Sequence, residues 1–80
     1  MNKIETGIYT HFKGKQSLVI AVAKHSDREE ELVVYKGLSD GNFYCRPVSS
    51  FLEKVDVDGK KVNRFTLVKK IDFSNFNIEI

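Results

Sequence analysis

Few side chains in this sequence are equipped for chemistry, and they sit in short, distinctive settings. His11 lies within Gly7-Ile8-Tyr9-Thr10-His11-Phe12-Lys13-Gly14, and His25 within Ala23-Lys24-His25-Ser26. Glu31 and Tyr35 bound the run Glu31-Leu32-Val33-Val34-Tyr35, and Arg46 directly precedes Pro47. An imidazole oriented by a carboxylate can carry a proton, so His25 with Glu31 is the candidate acid–base pair. A guanidinium at a strand end can grip a carboxylate or phosphate through two parallel hydrogen bonds, a role open to Arg46. Tyrosine and arginine are also frequent anchors of protein interfaces, which brings Tyr9 and Tyr35 into a binding reading.

Each of these residues also has a plainer use. The hydroxyls nearest His25 and Glu31 are Ser26 and Tyr35, and no Gly-x-Ser-x-Gly turn presents a nucleophile. A strand-end histidine exchanging a hydrogen bond with its loop explains His25 more simply. His11, between Thr10 and Phe12, reads first as a packing or turn-bonding residue. Arg46 could equally satisfy carbonyls of the turn that follows, or pair with Glu53. Glu29-Glu30-Glu31 lacks the twelve-residue, glycine-containing pattern of a calcium loop, so its first two members read as solvated. Cys45 has no neighbouring base to activate it and reads as a small, half-buried hydrophobe. No cofactor or metal is expected.

Strands must position these groups. Residues 7–12 form a first strand, Lys13-Gly14-Lys15-Gln16 a turn, and residues 17–25 a second strand rich in β-branched side chains. Residues 31–36 and 42–46 are the third and fourth, separated by the turn containing Ser39-Asp40-Gly41. Pro47 cannot donate to a ladder and ends the fourth strand. Residues 47–53 read as one helical turn, of the 3₁₀ kind, in which Ser50 and Glu53 have capping-box spacing. Asp58-Gly59 between Val55 and Val62 is the clearest hairpin signal, and residues 62–68 return as the last core strand. Beyond them, residues 69–80 form a tail strand with apolar alternation through Phe76, Ile78 and Ile80.

About five short strands with one helical turn predict an all-β domain, a small SH3-like antiparallel barrel with a C-terminal extension. Eighty residues with 41% apolar and 30% charged side chains suit a single globular domain. No apolar run is long enough to cross a membrane as a helix, no signal peptide is evident, and the single cysteine closes no internal disulfide. The expected location is the cytoplasm. A net charge of +2, with lysine pairs interleaved among acids, disfavours a nucleic-acid track.

A register that gathers the long aliphatics on one side sets His25 opposite Glu31, Ala23 opposite Val33 and Ala21 opposite Tyr35. In the first hairpin Phe12 faces Leu18 and Ile8 faces Val22. Leu18, Ile20, Val22, Leu32 and Val34 then form the core face. Tyr9, His11, Val19, Ala21, Ala23, His25, Glu31, Val33 and Tyr35 form an outward shelf. In this register the two histidines stand ~20 Å apart at strand rise, too far for one zinc ion.

Gly7-x-Tyr9-x-His11-x-Lys13-Gly14, Ala23-x-His25-Ser26, Glu31-Leu32-Val33-Val34-Tyr35, Arg46-Pro47, Phe51 and Val57-Asp58-Gly59 through Arg64-Phe65 together resemble the bacterial family called domain of unknown function 1653. The resemblance runs from about Gly7 to about Val68. It implies an SH3-type β-barrel and no particular activity. Ser17 stands where an aromatic is common, Tyr44 where a tryptophan is common, and Arg28 where a threonine is common.

Two uses of the shelf follow. The first is a non-catalytic binding module that recognises a peptide or protein surface through Tyr9, His11, His25, Glu31, Tyr35 and Arg46. Single-stranded nucleic acid is a weaker candidate for such a face. The second is a small enzyme or sensor for an anionic metabolite, with Arg46 holding the anion and His25, oriented by Glu31, carrying a proton. A homodimer formed through the C-terminal tail is a third arrangement.

Overall fold

The structure, a computed structural model describing residues 4–73, contains seven strands and one helical turn among those residues. β1 (Gly7–His11), β2 (Gln16–Lys24), β3 (Glu31–Gly37) and β4 (Phe43–Pro47) form an antiparallel meander. α1 (Val48–Phe51) leads into the hairpin of β5 (Lys54–Val57) and β6 (Lys60–Asn63), and β7 (Phe65–Lys70) returns beside β1. The five-stranded sheet runs β4-β3-β2-β1-β7, while β5 and β6 make a separate two-stranded sheet. The all-β, antiparallel expectation therefore holds. The expected strand count was low, and no ladder joins β4 to β7, so the sheet is not closed into a barrel. No helix among the described residues is long and apolar enough to cross a membrane.

Local chemistry sets the turns. Asp58 and Gly59 take φ of 50° and 81°, as the two central residues of a type I′ hairpin must. Pro47, at φ −56°, stands at the N-terminal boundary of α1. The anticipated capping box does not form, because Ser50 lies inside the helical turn. Glu53 donates its N–H to the Ser50 carbonyl (3.3 Å) and commits its carboxylate to Arg64 (2.7 Å). The anticipated last strand is interrupted at Arg64. There the chain donates to the Glu53 carbonyl (3.2 Å) and accepts from the Phe12 N–H (2.9 Å), tying the connector to the first turn.

The register differs from the expected one in a way that inverts the sheet. His11 donates to the Lys15 carbonyl and Gly14 to the His11 carbonyl, both at 2.7 Å, so the first turn is tight. Gly7 therefore faces Val19, and Tyr9 faces Ser17. Val19 faces Tyr35, but a bulge at Ile20 then shifts the ladder so that Ala21 faces Val34, Val22 faces Val33 and Ala23 faces Leu32. The expected co-facial set of Tyr9, Val19, Val33 and Tyr35 is present, but it forms the interior. With Phe51 and Phe65 these residues make the buried core. Ile8, Leu18, Ile20, Leu32 and Val34, expected inside, are half-buried on the opposite face, and Phe12 and Val22 are exposed. The outward shelf does not exist.

Aromatic bulk decides the sense. Phe51 arrives from α1 and Phe65 from β7, and their rings stack with centroids 4.3 Å apart and planes 7° from parallel. Tyr9 meets Phe51 edge-on at 5.1 Å, and Tyr35 meets Phe65 at 5.7 Å. Each of these large rings buries more area than an aliphatic side chain of the other parity could. The expected packing of Phe76, Ile78 and Ile80, and the tail-mediated dimer with it, lie outside the described residues.

Two stability outcomes are expected in denaturant titrations. Phe51→Ala removes a 2%-exposed ring and should cost about 3–5 kcal/mol, a large part of a small domain's total, whereas Phe12→Ala should cost far less. Gly7→Ala should cost about 2 kcal/mol or more. Its φ is 146°, and a Cβ would lie 2.1 Å from the Lys69 carbonyl oxygen. Equal costs for Phe51 and Phe12, or a neutral Gly7→Ala, would contradict this packing.

Candidate functional site

Tyr44 and Arg46 are two apart on β4, so both project to the core side of the sheet, opposite Tyr35 and Val33 respectively. Across the core, β7 supplies Phe65 opposite His11 of β1. Tyr35, Tyr44, Arg46, Phe65 and His11 border a cavity of ≈ 320 Å³ with Lys13, Lys15, Gly37 and Asp40 also at its wall. Gly37 lies close beneath the rim: a Cβ there would come 2.6 Å from Asp40 Oδ1 and 3.2 Å from the Tyr44 ring, and the Asp40 side chain would have to move.

Arg46 is the best-positioned group in the cavity. Its Nε donates to the Tyr35 hydroxyl (3.2 Å) and one terminal nitrogen to Ser50 Oγ (3.4 Å). The guanidinium carbon lies 5.2 Å from the centre of the Phe65 ring, a cation–π arrangement. Among the described residues no carboxylate pairs with it, because Glu53 is taken by Arg64. The Arg46–Glu53 pair considered from sequence is thus replaced by Arg64–Glu53.

His11 stands beside this guanidinium, its ring edge-on to Phe65 at 5.0 Å. Burial, then the positive charges of Arg46, Arg64 and Lys13, hold its pKa below the usual 6.5. Nδ1 accepts the Lys13 N–H (3.2 Å), so the neutral ring carries its proton on Nε2. At the rim the Tyr44 hydroxyl donates to the Asp40 carboxylate. That hydrogen bond lowers the Asp40 pKa and raises that of Tyr44. The Asn42 N–H also binds Asp40 (2.9 Å), which favours the ionised carboxylate at the rim. Tyr44 stacks on Tyr35 with centroids 5.6 Å apart.

The sequence-predicted site residues are thus divided. Tyr35, His11 and Arg46 converge on the cavity, and Tyr9 is buried in the core behind it, its hydroxyl donating to the Glu5 carbonyl (2.6 Å). His25 and Glu31 border a different, open depression with Lys24, Arg28, Glu29 and Glu30. They are not an oriented pair. The bulge places Glu31 opposite Lys24, His25 donates its N–H to Glu30, and its Nδ1 accepts the Asp27 N–H (3.0 Å). The loop-bonding histidine is what forms. Tyr44, Phe65, Ser50 and Asp40 were missed as site residues, although the two-residue spacing of Tyr44 and Arg46 already required a shared face. Among the described residues no cluster of three His, Cys, Asp or Glu side chains is placed to hold a metal ion.

Comparison with known proteins identifies the fold and the family. The crystal structure of a DUF1653 protein from Bordetella bronchiseptica is similar, with a TM-score of 0.78 and 26% identity over 88% of this chain and 94% of that one. No curated protein matches. The family model described as "Protein of unknown function (DUF1653)" matches residues 7–67, most of the sequence, and the chain belongs to that family.

Proposed function

We propose that this protein is a non-catalytic binding module of SH3-like character that seats an acidic segment of a partner protein in the Arg46 cavity. A partner carboxylate would lie on the Arg46 guanidinium, and neighbouring apolar or aromatic side chains would rest on Tyr35 and Tyr44. The carrying observation is that Arg46 is oriented by Tyr35, Ser50 and Phe65 yet has no carboxylate partner among the described residues. Lys13 and Lys15 at the same cavity add attraction for an anion. The cavity is small and walled in part by the rings of Tyr35, Tyr44 and Phe65, which suits a side chain or short peptide rather than a phosphate backbone. A free Cys45 fits a reducing compartment, the cytoplasm. The metabolite-sensing alternative loses support, because it requires His25 and Arg46 to share one cavity and they border two.

Panning a random heptapeptide display library against the intact protein tests this reading. Sequences rich in Asp or Glu near an aromatic residue should be enriched, and Arg46→Ala should weaken their binding by about tenfold or more, as loss of a charge-assisted pair implies. The same peptides selected equally by Arg46→Ala, or selection without acidic residues, would reject the cavity as the working site.

Binding should also depend on pH through His11. Its pKa is depressed in the free protein, and a bound carboxylate opposes that depression, so binding takes up a proton. Affinity for a selected acidic peptide should therefore rise as pH falls from 8 towards 6, and fall again once the peptide carboxylate protonates near its usual ~4.3. In titration calorimetry His11→Gln should flatten the upper limb while keeping the dependence on Arg46. An unchanged pH profile in His11→Gln would remove His11 from the site.

A further inference from the structure

The two edges of the five-stranded sheet are built differently. β7 carries Lys69 and Lys70 and an irregular pairing with β1 near Val68, features that discourage an incoming strand. β4 has no such protection over Phe43 to Cys45, and its ladder with β3 runs unbroken from Phe43 to Pro47. The Gly37 N–H bonds to the Asn42 carbonyl (2.8 Å), whereas the Leu38 N–H turns the other way, to Gln16 (3.0 Å). By antiparallel alternation, Tyr44 and Arg46 direct their backbone groups to β3. Phe43 and Cys45 direct theirs outward, and no hydrogen bond among the described residues reaches them, while the Pro47 carbonyl, at the N-terminal boundary of α1, serves the first turn of that helix. Phe43 is 65% exposed and Cys45 is exposed as well.

We propose that β4 pairs antiparallel with β4 of a second copy about a two-fold axis through Cys45, joining two sheets into one. In this register each Cys45 N–H donates to the partner's Cys45 carbonyl. Pro47 has no N–H to offer and its carbonyl serves α1, so at the strand end the facing Phe43 backbone groups turn to water. Tyr44 lies opposite the partner's Arg46 on the cavity face, and Phe43 lies opposite the partner's Pro47 on the other. Both are favourable cross-strand pairs. Moving the axis to Arg46 would set two guanidiniums face to face. Moving it to Tyr44 would leave Pro47 overhanging and the Arg46–Tyr44 pairing lost. The strand is thus self-complementary in one register. The dimer sets the two cavities on one face, each with the partner's Tyr44 beside its Arg46. It does not rest on the peptide-binding reading.

Sedimentation of the intact chain over micromolar to millimolar concentration, combined with mild oxidation by diamide, tests the pairing. The expected result is a concentration-dependent dimer that oxidation links through Cys45. Hydrogen-bonded antiparallel partners lie ~5.5 Å apart at Cα, within disulfide range. Cys45→Ser should keep the reversible dimer and lose the link. Cys45→Lys places two ammonium groups on the axis and should raise the dimer dissociation constant at least tenfold, with the melting transition confirming that the fold persists. A monomer at every concentration that does not cross-link would overturn the proposal, leaving the edge to residues 74–80 or to another protein's strand. A dimer undiminished in folded Cys45→Lys would overturn it too.

Discussion

The stacking of Phe51 on Phe65 is the contact on which the rest of this molecule depends. It joins α1 to β7 over the core side of the sheet, with ring centroids 4.3 Å apart. Tyr9 and Tyr35 then close around the pair from β1 and β3, and Val19 and Val33 fill the floor with no exposure at all. The free energy comes mainly from aromatic area removed from water, with edge-to-face geometry adding a smaller directional part. The hairpin of β5 and β6 and the Arg64–Glu53 bridge are arranged around this junction.

The same contact creates the cavity. Phe65 is held where one face packs on Phe51 while Arg46 and His11 lie against the ring as well. A guanidinium laid against an aromatic ring, with Nε fixed by a tyrosine hydroxyl, has little freedom left to lose on binding. Burial, then the neighbouring cations, holds the His11 pKa down, which restrains the build-up of positive charge in the cavity before a ligand arrives. Preorganisation and restrained repulsion thus follow from one packing arrangement.

Much of the architecture was legible in the sequence, because turn chemistry is local. Asp58-Gly59, Pro47 and the glycine-containing turns place the strand ends within a residue or two. The grouping of Tyr9, Val19, Val33 and Tyr35 on one face was legible too, since it depends only on period-two alternation and on an even offset between strands. Which face became the interior was not. Leu18, Ile20 and Val22 offer as convincing an apolar stripe as the true core, and the choice is made by Phe51 and Phe65, far away in sequence. The bulge at Ile20 was equally hidden. It moves Ala21 and Ala23 to the other side and separates His25 from Glu31, which dissolves the acid–base pair suggested by residue type. Arg46 was found because a guanidinium beside a proline is conspicuous. Tyr44 was overlooked because its value lies in a stacking partner on another strand.

The central claim is that aromatic packing leaves Arg46 open to an anion in a cavity shared with His11, Tyr35 and Tyr44. Nuclear magnetic resonance reads this directly. The Arg46 Nε–H, the His11 ring and the Tyr44 ring are followed while a short glutamate-containing peptide is added to the isotopically labelled protein. Progressive shifts concentrated on those three groups, with His25 and Glu31 unmoved, are the predicted result. Shifts centred on His25 and Glu31, or an Arg46 signal indifferent to the peptide, would contradict it.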